Sequence, residues 1–284
     1  MVFKRIREIG PKHLFIAADG PREDRRYDKY KCEEARNAVV SNIDWNCEVK
    51  TLFRDKNLGC GLAVSQAITW FFRHVEEGII LEDDCYPSLQ FFNFSEYLLG
   101  KFKNDENTMH VSGGCYLPRK YFNDSSYYFT KYPFSWGWAT WQSAWDKFNY
   151  NIPNDVNYPR DMHSDEISYW DDIKIKIESN LIDTWDFRWN FSIWQSNGKC
   201  ISSTKNLINN IGFENGTHTT EKPFYYKEAR FYEGIEKIHD NVVRDIHTKA
   251  DRIVFERYNL GKISFHDKIL GRFREWVTKI SISG

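Results

Sequence analysis

The stretch Gly78-Ile79-Ile80-Leu81-Glu82-Asp83-Asp84 carries the strongest fold signal in this chain, because an apolar run ends in three consecutive carboxylates. An apolar run of this length, bounded by polar residues, is typical of an interior strand in an α/β sheet. Ligands of such sheets bind beyond the carboxyl ends of the strands, where Asp83 and Asp84 are expected. Clustered carboxylate oxygens there suit a hard divalent cation such as Mg2+ or Mn2+, which can bridge the protein to a diphosphate.

The segments around this stretch alternate between strand and helix patterns. The predicted elements are a strand at 13–20, a helix within 23–42, a strand at 48–53, a helix at 58–75, the acidic strand, a helix at 89–102 and a strand at 109–112. Ser88 is a suitable N-cap for the helix at 89–102. The order β-α-β-α-β-α-β predicts an α/β protein with a mostly parallel sheet and helices on both faces.

The second half of the sequence is less regular. The Trp-rich run 135–141 leads into one predicted helix, and two more helices are predicted within 165–182 and 183–195. No internal repeat or low-complexity linker divides the chain. We therefore expect one domain over 1–222, followed by a helical C-terminal appendage over 223–284.

Composition excludes several classes of protein. With 39 basic and 40 acidic residues, the chain has no bulk positive field for nucleic acid. Its six cysteines form no Cys-x-x-Cys pair, which argues against a zinc ribbon. We expect a cytoplasmic protein with reduced thiols, since the sequence shows neither an apolar signal region nor an apolar run of about 18 residues.

Six short motifs, taken in order, resemble a GT-A fold, Rossmann-like nucleotide-diphospho-sugar glycosyltransferase of the bacterial type. The similarity to the inverting Golgi N-acetylglucosaminyltransferases is more distant. The motifs are Ala18-Asp19-Gly20, Arg54-Asp55-Lys56-Asn57-Leu58-Gly59, Glu82-Asp83-Asp84, Trp136-Gly137-Trp138, Trp185-Asp186 and the loop 212–219. The resemblance implies metal-dependent, inverting transfer of a sugar from a nucleotide diphosphate, a UDP-sugar, to a glycan or glycolipid acceptor, with Mn2+ or Mg2+ as cofactor.

The same resemblance implies roles for the acidic residues. Asp84 matches the metal-binding carboxylate, and Glu82 and Asp83 match neighbours that contact the ribose or the sugar of the donor. Asp19 is similar to the residue that accepts the imino hydrogen of uracil. A turn-forming Asp before Gly20 is the structural alternative for that position.

Three further residues are assigned to donor binding on the strength of these motifs. Arg54 and Trp138 are expected to contact the nucleotide sugar. His218, in the loop 212–219, is expected to contact the metal or a phosphate oxygen, although a surface histidine is the simpler interpretation. Trp136, Trp138 and Trp141 are candidates for a sugar pocket, with core packing favoured for at least one of them.

An inverting transferase needs a carboxylate that removes the proton of the acceptor hydroxyl. Asp186 resembles that base, and Asp183, one helical turn earlier, is the alternate. Both carboxylates can instead stabilise the N-terminus of a helix. A retaining transferase and a nucleotidyltransferase are the enzyme alternatives, and a truncated, non-catalytic glycan-binding relative is the alternative from another class.

The two ends of the sequence depart from the family pattern. Residues 1–9 predict a helix, so the first family strand is missing from this sequence; either coding sequence lies upstream of Met1, or the chain is a truncated relative with a weakened nucleotide site. Residues 262–280 form a basic amphipathic stretch. It predicts peripheral contact with the inner face of a membrane, or docking on the protein itself or on a partner.

Overall fold

The computed structural model describes residues 1–214 and 229–261, and this part of the chain forms an α/β fold. Its helices are α1 Val2–Ile9, α2 Asp28–Val40, α3 Gly59–Phe72, α4 Leu89–Phe102, α5 Gln142–Trp145, α6 Ser164–Glu178, α7 Asp186–Gln195 and α8 Thr248–Val254. Its strands are β1 His13–Ala18, β2 Glu48–Phe53, β3 Glu77–Ile80, β4 Cys85–Pro87, β5 Thr108–Ser112, β6 Tyr127–Thr130, β7 Trp138–Trp141, β8 Lys199–Ser203 and β9 Ile208–Asn210. Short 3-10 turns at Arg119–Tyr121 and Gly212–Glu214 and a π-type turn at Phe255–Asn259 complete the description.

The elements predicted in the first half are confirmed, with bounds that shift by a few residues. Ser88 is the N-cap of α4, because its hydroxyl accepts the Phe91 backbone N–H at 3.3 Å. The acidic strand is shorter than predicted. It ends at Ile80, so Glu82, Asp83 and Asp84 lie in the turn that follows β3.

The central sheet is mixed, and the expectation of a mostly parallel sheet is wrong. Its strand order is β3-β7-β5-β8-β6, and β5 with β8 is its single parallel pair. The strands β6 and β7 run against their neighbours β8 and β5. Alternation along the sequence indicates the order of elements but not strand direction, so these strands could not be anticipated. Within the described residues, β3 is an edge strand and not the expected interior strand.

A second, smaller sheet stands apart from the central one. It consists of β1 and β2, which pair in parallel from His13 opposite Glu48 to Ala18 opposite Phe53. No residue of β1, β2 or α2 is buried. Helix α3 connects this unit to β3, because the Phe71 ring packs on Phe15 of β1 at a centroid distance of 4.9 Å and also lies against Gly78.

The core beneath the central sheet is rich in tryptophan. Trp138 of β7 stacks on Trp185 at 5.4 Å and on His110 of β5 at 4.8 Å, and Trp189 of α7 donates its indole N–H to His110. Trp145 of α5 packs on the same group, 5.0 Å from the Trp189 ring centroid. These contacts fix the start of α7 against the end of the sheet that carries the acidic turn.

The described part of the predicted C-terminal appendage contains one α-helix. Residues 229–247 run over the surface with isolated bridges at Phe231 and Ile246. Helix α8 then packs into the main core through Ala250 and Val254, which are buried. The basic stretch 262–280 lies outside the described residues. Among the helices that are described, none has the length and apolar character needed to cross a membrane.

Candidate active site

The acidic turn after β3 is held in place by a short antiparallel ladder. Cys85 of β4 lies opposite Asn210 of β9, and the Ile211 backbone N–H donates to the Asp84 carbonyl at 2.8 Å. The Cys85 thiol donates to the Asp84 carboxylate at 3.2 Å. Asp83 is exposed, whereas Asp84 is partly buried. The ladder therefore directs Asp84, rather than Asp83, toward the segment that follows β9.

Asp84 and Asn210 each place a side-chain oxygen beside Gly212. A Cβ on Gly212 would lie 2.5 Å from Asp84 Oδ2 and 3.2 Å from Asn210 Oδ1, so glycine is required for this approach. The Gly212 backbone N–H donates to Asn210 Oδ1 at 2.9 Å. Sequence reasoning did not identify Asn210. The pairing of β4 with β9 that positions it has no local signature.

Glu82, the first carboxyl group of the turn, has a raised pKa. Burial raises its pKa to about 8, and the nearby negative charges of Asp186, Asp84 and Asp83 add to the effect. A hydrogen bond from the Trp185 side chain opposes the shift only in part. In its protonated form Glu82 can donate a hydrogen bond.

Asp186 opens helix α7 and lies beside a cavity. Its carboxylate accepts hydrogen bonds from the Phe187 backbone N–H at 2.8 Å, from the Ser135 hydroxyl at 3.4 Å and from the Thr184 hydroxyl. Burial nevertheless raises its pKa above the ordinary value. Because Asp186 is also a neighbour of Glu82, the fold brings together two predicted site residues that are far apart in the sequence.

The cavity beside Asp186 has a volume of about 290 Å3. Its walls come from the link between β6 and β7, from helices α6 and α7, and from the C-terminal segment. Trp136, Tyr169 and Phe187 contribute aromatic surface, and Ser135 and Asn190 contribute polar groups. Of the three tryptophans considered as pocket residues, Trp136 lines this cavity.

Trp138, expected to contact the donor, lies in the core instead. The side chain has no exposed surface, because it belongs to a strand covered on both faces. Trp141 is also buried. Trp138 therefore has a packing role. Core packing was the interpretation favoured for at least one of the three tryptophans, and Trp138 fits it.

Asp183 stabilises the start of α3. Its carboxylate accepts the Gly61 backbone N–H at 3.1 Å, and a Cβ on Gly59 would lie 2.5 Å from its Oδ2 atom. Gly59 has φ +78°, a conformation that favours glycine. A carboxylate at a helix N-terminus complements the helix dipole. This contact matches the structural interpretation of Asp183 rather than that of a base.

Asp19 also interacts with the backbone. Both carboxylate oxygens lie 3.0 Å from the Leu58 N–H, and one accepts the Gly20 N–H at 2.8 Å. The nearby Arg36 guanidinium donates to the carbonyls of Asp19 and Arg54. Asp19 and Arg54 thus belong to the loop edge of the small sheet. His218 lies outside the described residues.

The carboxylate of Asp84 and the amide oxygen of Asn210, which both lie beside Gly212, are ligand types that suit a divalent cation shared with a diphosphate. Mg2+ and similar ions usually take one or two protein oxygens, substrate phosphates and water, rather than a complete protein cage. Among the described residues, no group of three or more His, Cys, Asp or Glu side chains converges to form such a cage. Asp84 and Asn210 would therefore hold the cation together with a ligand.

Two comparisons with known proteins give no further guide to the family. No protein-family model matches the chain. A search of the curated proteins also found no match.

Proposed function

We propose that this chain is a metal-dependent, inverting glycosyltransferase with a GT-A fold, which moves a sugar from a nucleotide diphosphate, a UDP-sugar, to a glycan or glycolipid acceptor. One observation carries the proposal. Glu82, in the turn after β3, has both Asp84 of the same turn and Asp186 of α7 as charged neighbours, and Asp186 lines an aromatic cavity. No ion pair within the described residues neutralises any of these three carboxyl groups, which leaves them available to a ligand.

Asp186 serves as the general base. Its carboxylate takes the proton of the acceptor hydroxyl while the hydroxyl oxygen forms a bond to the anomeric carbon of the donor. The bond from that carbon to the diphosphate oxygen breaks, and its electron pair leaves with the diphosphate. Burial strengthens Asp186 as a base, because it raises the pKa above that of an exposed aspartate. When bound, a divalent cation on Asp84 and Asn210 offsets the charge of the leaving diphosphate.

Glu82 has a different role because burial and the neighbouring carboxylates raise its pKa to about 8. A protonated Glu82 can donate a hydrogen bond to an oxygen of the donor. The Trp185 side chain and the packing of Trp185 on Trp138 hold Glu82 in position. Ser135 and Thr184 orient Asp186 in the same way.

Calorimetric titration with UDP, with and without Mn2+, tests the donor site. We expect Mn2+-dependent binding that is lost in Asp84→Ala and retained in Asp165→Ala, because Asp165 is an exposed carboxylate of α6 with no role in the donor site. Binding that is equal with and without Mn2+, or equal in the two variants, would contradict the metal site. Release of UDP from UDP-sugars in the presence of acceptor glycans then measures transfer.

A non-catalytic glycan-binding protein is the second candidate function. The aromatic cavity favours it, since sugar rings bind to aromatic faces without any metal. The same titration separates the two functions. Glycan binding in the absence of any nucleotide binding would support the binding protein over the transferase.

A further inference from the structure

The charge of the cavity beside Asp186 indicates what it can bind. Asp186 is the only charged residue among the described residues that line it. A phosphate or carboxylate placed beside Asp186 would be repelled by its negative charge. This part of the cavity therefore disfavours an anionic ligand.

The size of the cavity restricts the ligand further. Pockets for drug-sized ligands usually have volumes of about 300–1,000 Å3. At about 290 Å3, this cavity lies at the lower limit and suits one sugar ring rather than a whole nucleotide sugar.

The lining combines aromatic faces with uncharged polar groups. Trp136, Tyr169 and Phe187 line the cavity with aromatic rings, and the negative π faces of such rings attract the polarised C–H groups of a sugar. Ser135 and Asn259 offer a hydroxyl and an amide for sugar hydroxyls. This combination is suited to a neutral, hydroxyl-rich ring.

The C-terminal segment supplies part of this wall and is firmly anchored. Val254 and Asn259 line the cavity, and the buried Asp251 of α8 accepts hydrogen bonds from Thr130 and from the Lys131 backbone N–H at 2.5 and 2.9 Å. Because buried hydrogen-bonded carboxylates resist displacement, the wall is preorganised.

We infer that this cavity binds one uncharged pyranose, the terminal sugar of the acceptor, and that it excludes anionic sugars. The assignment of this sugar to the acceptor rests on the proposed function, since it assumes that Asp186 is the base. The binding of a neutral pyranose does not depend on that assumption.

Saturation-transfer NMR tests the inference with neutral methyl glycosides of the gluco, galacto, manno and N-acetylgluco series, each compared with its uronic acid counterpart. We expect at least one neutral glycoside to bind about tenfold or more tightly than its anionic counterpart. Trp136→Leu should weaken that binding about tenfold or more, whereas Tyr30→Leu, which removes an exposed aromatic elsewhere, should leave it unchanged.

The variant Asp186→Asn tests the contribution of the negative charge to the selectivity of the cavity. It should reduce the preference for the neutral ring over the anionic ring about tenfold, even if Trp136→Leu does not fold. Absence of binding by every neutral glycoside, equal binding of the anionic counterparts, or equal binding by Trp136→Leu with unchanged thermal stability would overturn the inference. UDP titration in parallel distinguishes the two proposals: UDP binding without sugar binding overturns this inference alone, and sugar binding without UDP binding overturns the transferase alone.

Discussion

Two groups of acidic side chains in this protein differ in their surroundings. The cleft group is Glu82, Asp84 and Asp186, and the anchor group is Glu166 and Asp251, which joins α6 and α8 to the end of β6. In the anchor group, Lys131 Nζ lies 3.2 Å from Glu166, and Asp251 accepts two hydrogen bonds. In the cleft group, the charged neighbours of Glu82 are other carboxylates.

The difference indicates which acidic groups serve structure and which serve a ligand. Burial raises the pKa of Glu82 to about 8 and that of Asp251 to about 7. The charged neighbours differ, because Lys131 lowers the pKa of Asp251 although Asp161 raises it, whereas Asp186, Asp84 and Asp83 all raise that of Glu82. Burying charge without a partner destabilises a protein. The cleft group is thus better explained by function than by stability.

The largest expected effect is on transfer by Asp186→Asn. Loss of the general base should lower the transfer rate by about 10²–10⁴-fold and leave Mn2+-dependent UDP binding intact. Steady-state assays and calorimetry measure the two properties. Asp165→Asn, the same chemical change at the exposed edge of the anchor group, is the control and should transfer normally. A normal rate in Asp186→Asn would remove the base from the mechanism.

Lys131→Met should produce the largest loss of stability. It removes the nearer cation of the buried Glu166 and leaves Arg252, at 3.8 Å, as the other, and breaking a buried pair typically costs about 3–5 kcal/mol. Urea unfolding measures the effect. Glu82→Gln provides the contrast, since it removes no ion pair and should not destabilise the protein at pH 7. A loss below about 1 kcal/mol for Lys131→Met would show that the anchor group is not tied together by this cation.

Glu82→Gln should change how stability depends on pH. The folded pKa, about 8, lies above the ordinary 4.5, so the stabilising contribution of Glu82 is complete below pH 4.5 and is lost as pH rises through 8. The slope from this group is at most about 1.4 kcal/mol per pH unit. Urea unfolding between pH 5 and 9 should show that the free energy of unfolding falls less steeply with rising pH in Glu82→Gln than in Asp83→Asn or the parent chain. If the free energy of unfolding fell equally with pH in all three proteins, Glu82 would be in a solvated site.

The smallest effect on stability is expected at the exposed edge of the anchor group, which is the ion pair between Asp165 and Arg252. Arg252 holds Asp165 through two 2.7 Å hydrogen bonds and lowers its pKa to about 2. Because Asp165 is exposed, Asp165→Asn should cost less than about 1 kcal/mol, and high salt should reduce the difference. Thermal unfolding at two salt concentrations measures it. A loss as large as that of Lys131→Met would mean that the edge pair belongs to the buried network.

Elements with strong local signals were predictable from the sequence. Strand β2 has the predicted bounds, and α4 begins at the predicted N-cap Ser88. Strand β7 was missed, because the run Trp138–Trp141 is buried on both faces and shows no alternation. Its strand conformation depends on pairing with Glu77–Ile80, which is distant in the sequence.

The same distinction applies to the candidate site. The apolar run that ends in carboxylates indicated the acidic turn, and a motif resemblance indicated Asp186. The position of Asn210 near the acidic turn could not be predicted, since it depends on a ladder of three residue pairs between β4 and β9. The contact in which Asp183 caps α3 likewise joins two segments that are far apart in the sequence, so no local pattern predicts it.

The separation of the β1–β2 sheet from the central sheet has a consequence for local stability. A unit with no buried residue in β1, α2 or β2 should open without unfolding the tryptophan core, so its amide hydrogens should exchange with solvent well before those of β5 and β8. A ligand that contacts both the Asp19 loop and the acidic turn would oppose this opening by mass action. Part of the free energy of the ligand's contacts would then offset the cost of closing this unit. The measured affinity would therefore depend on the local opening equilibrium as well as on the contacts.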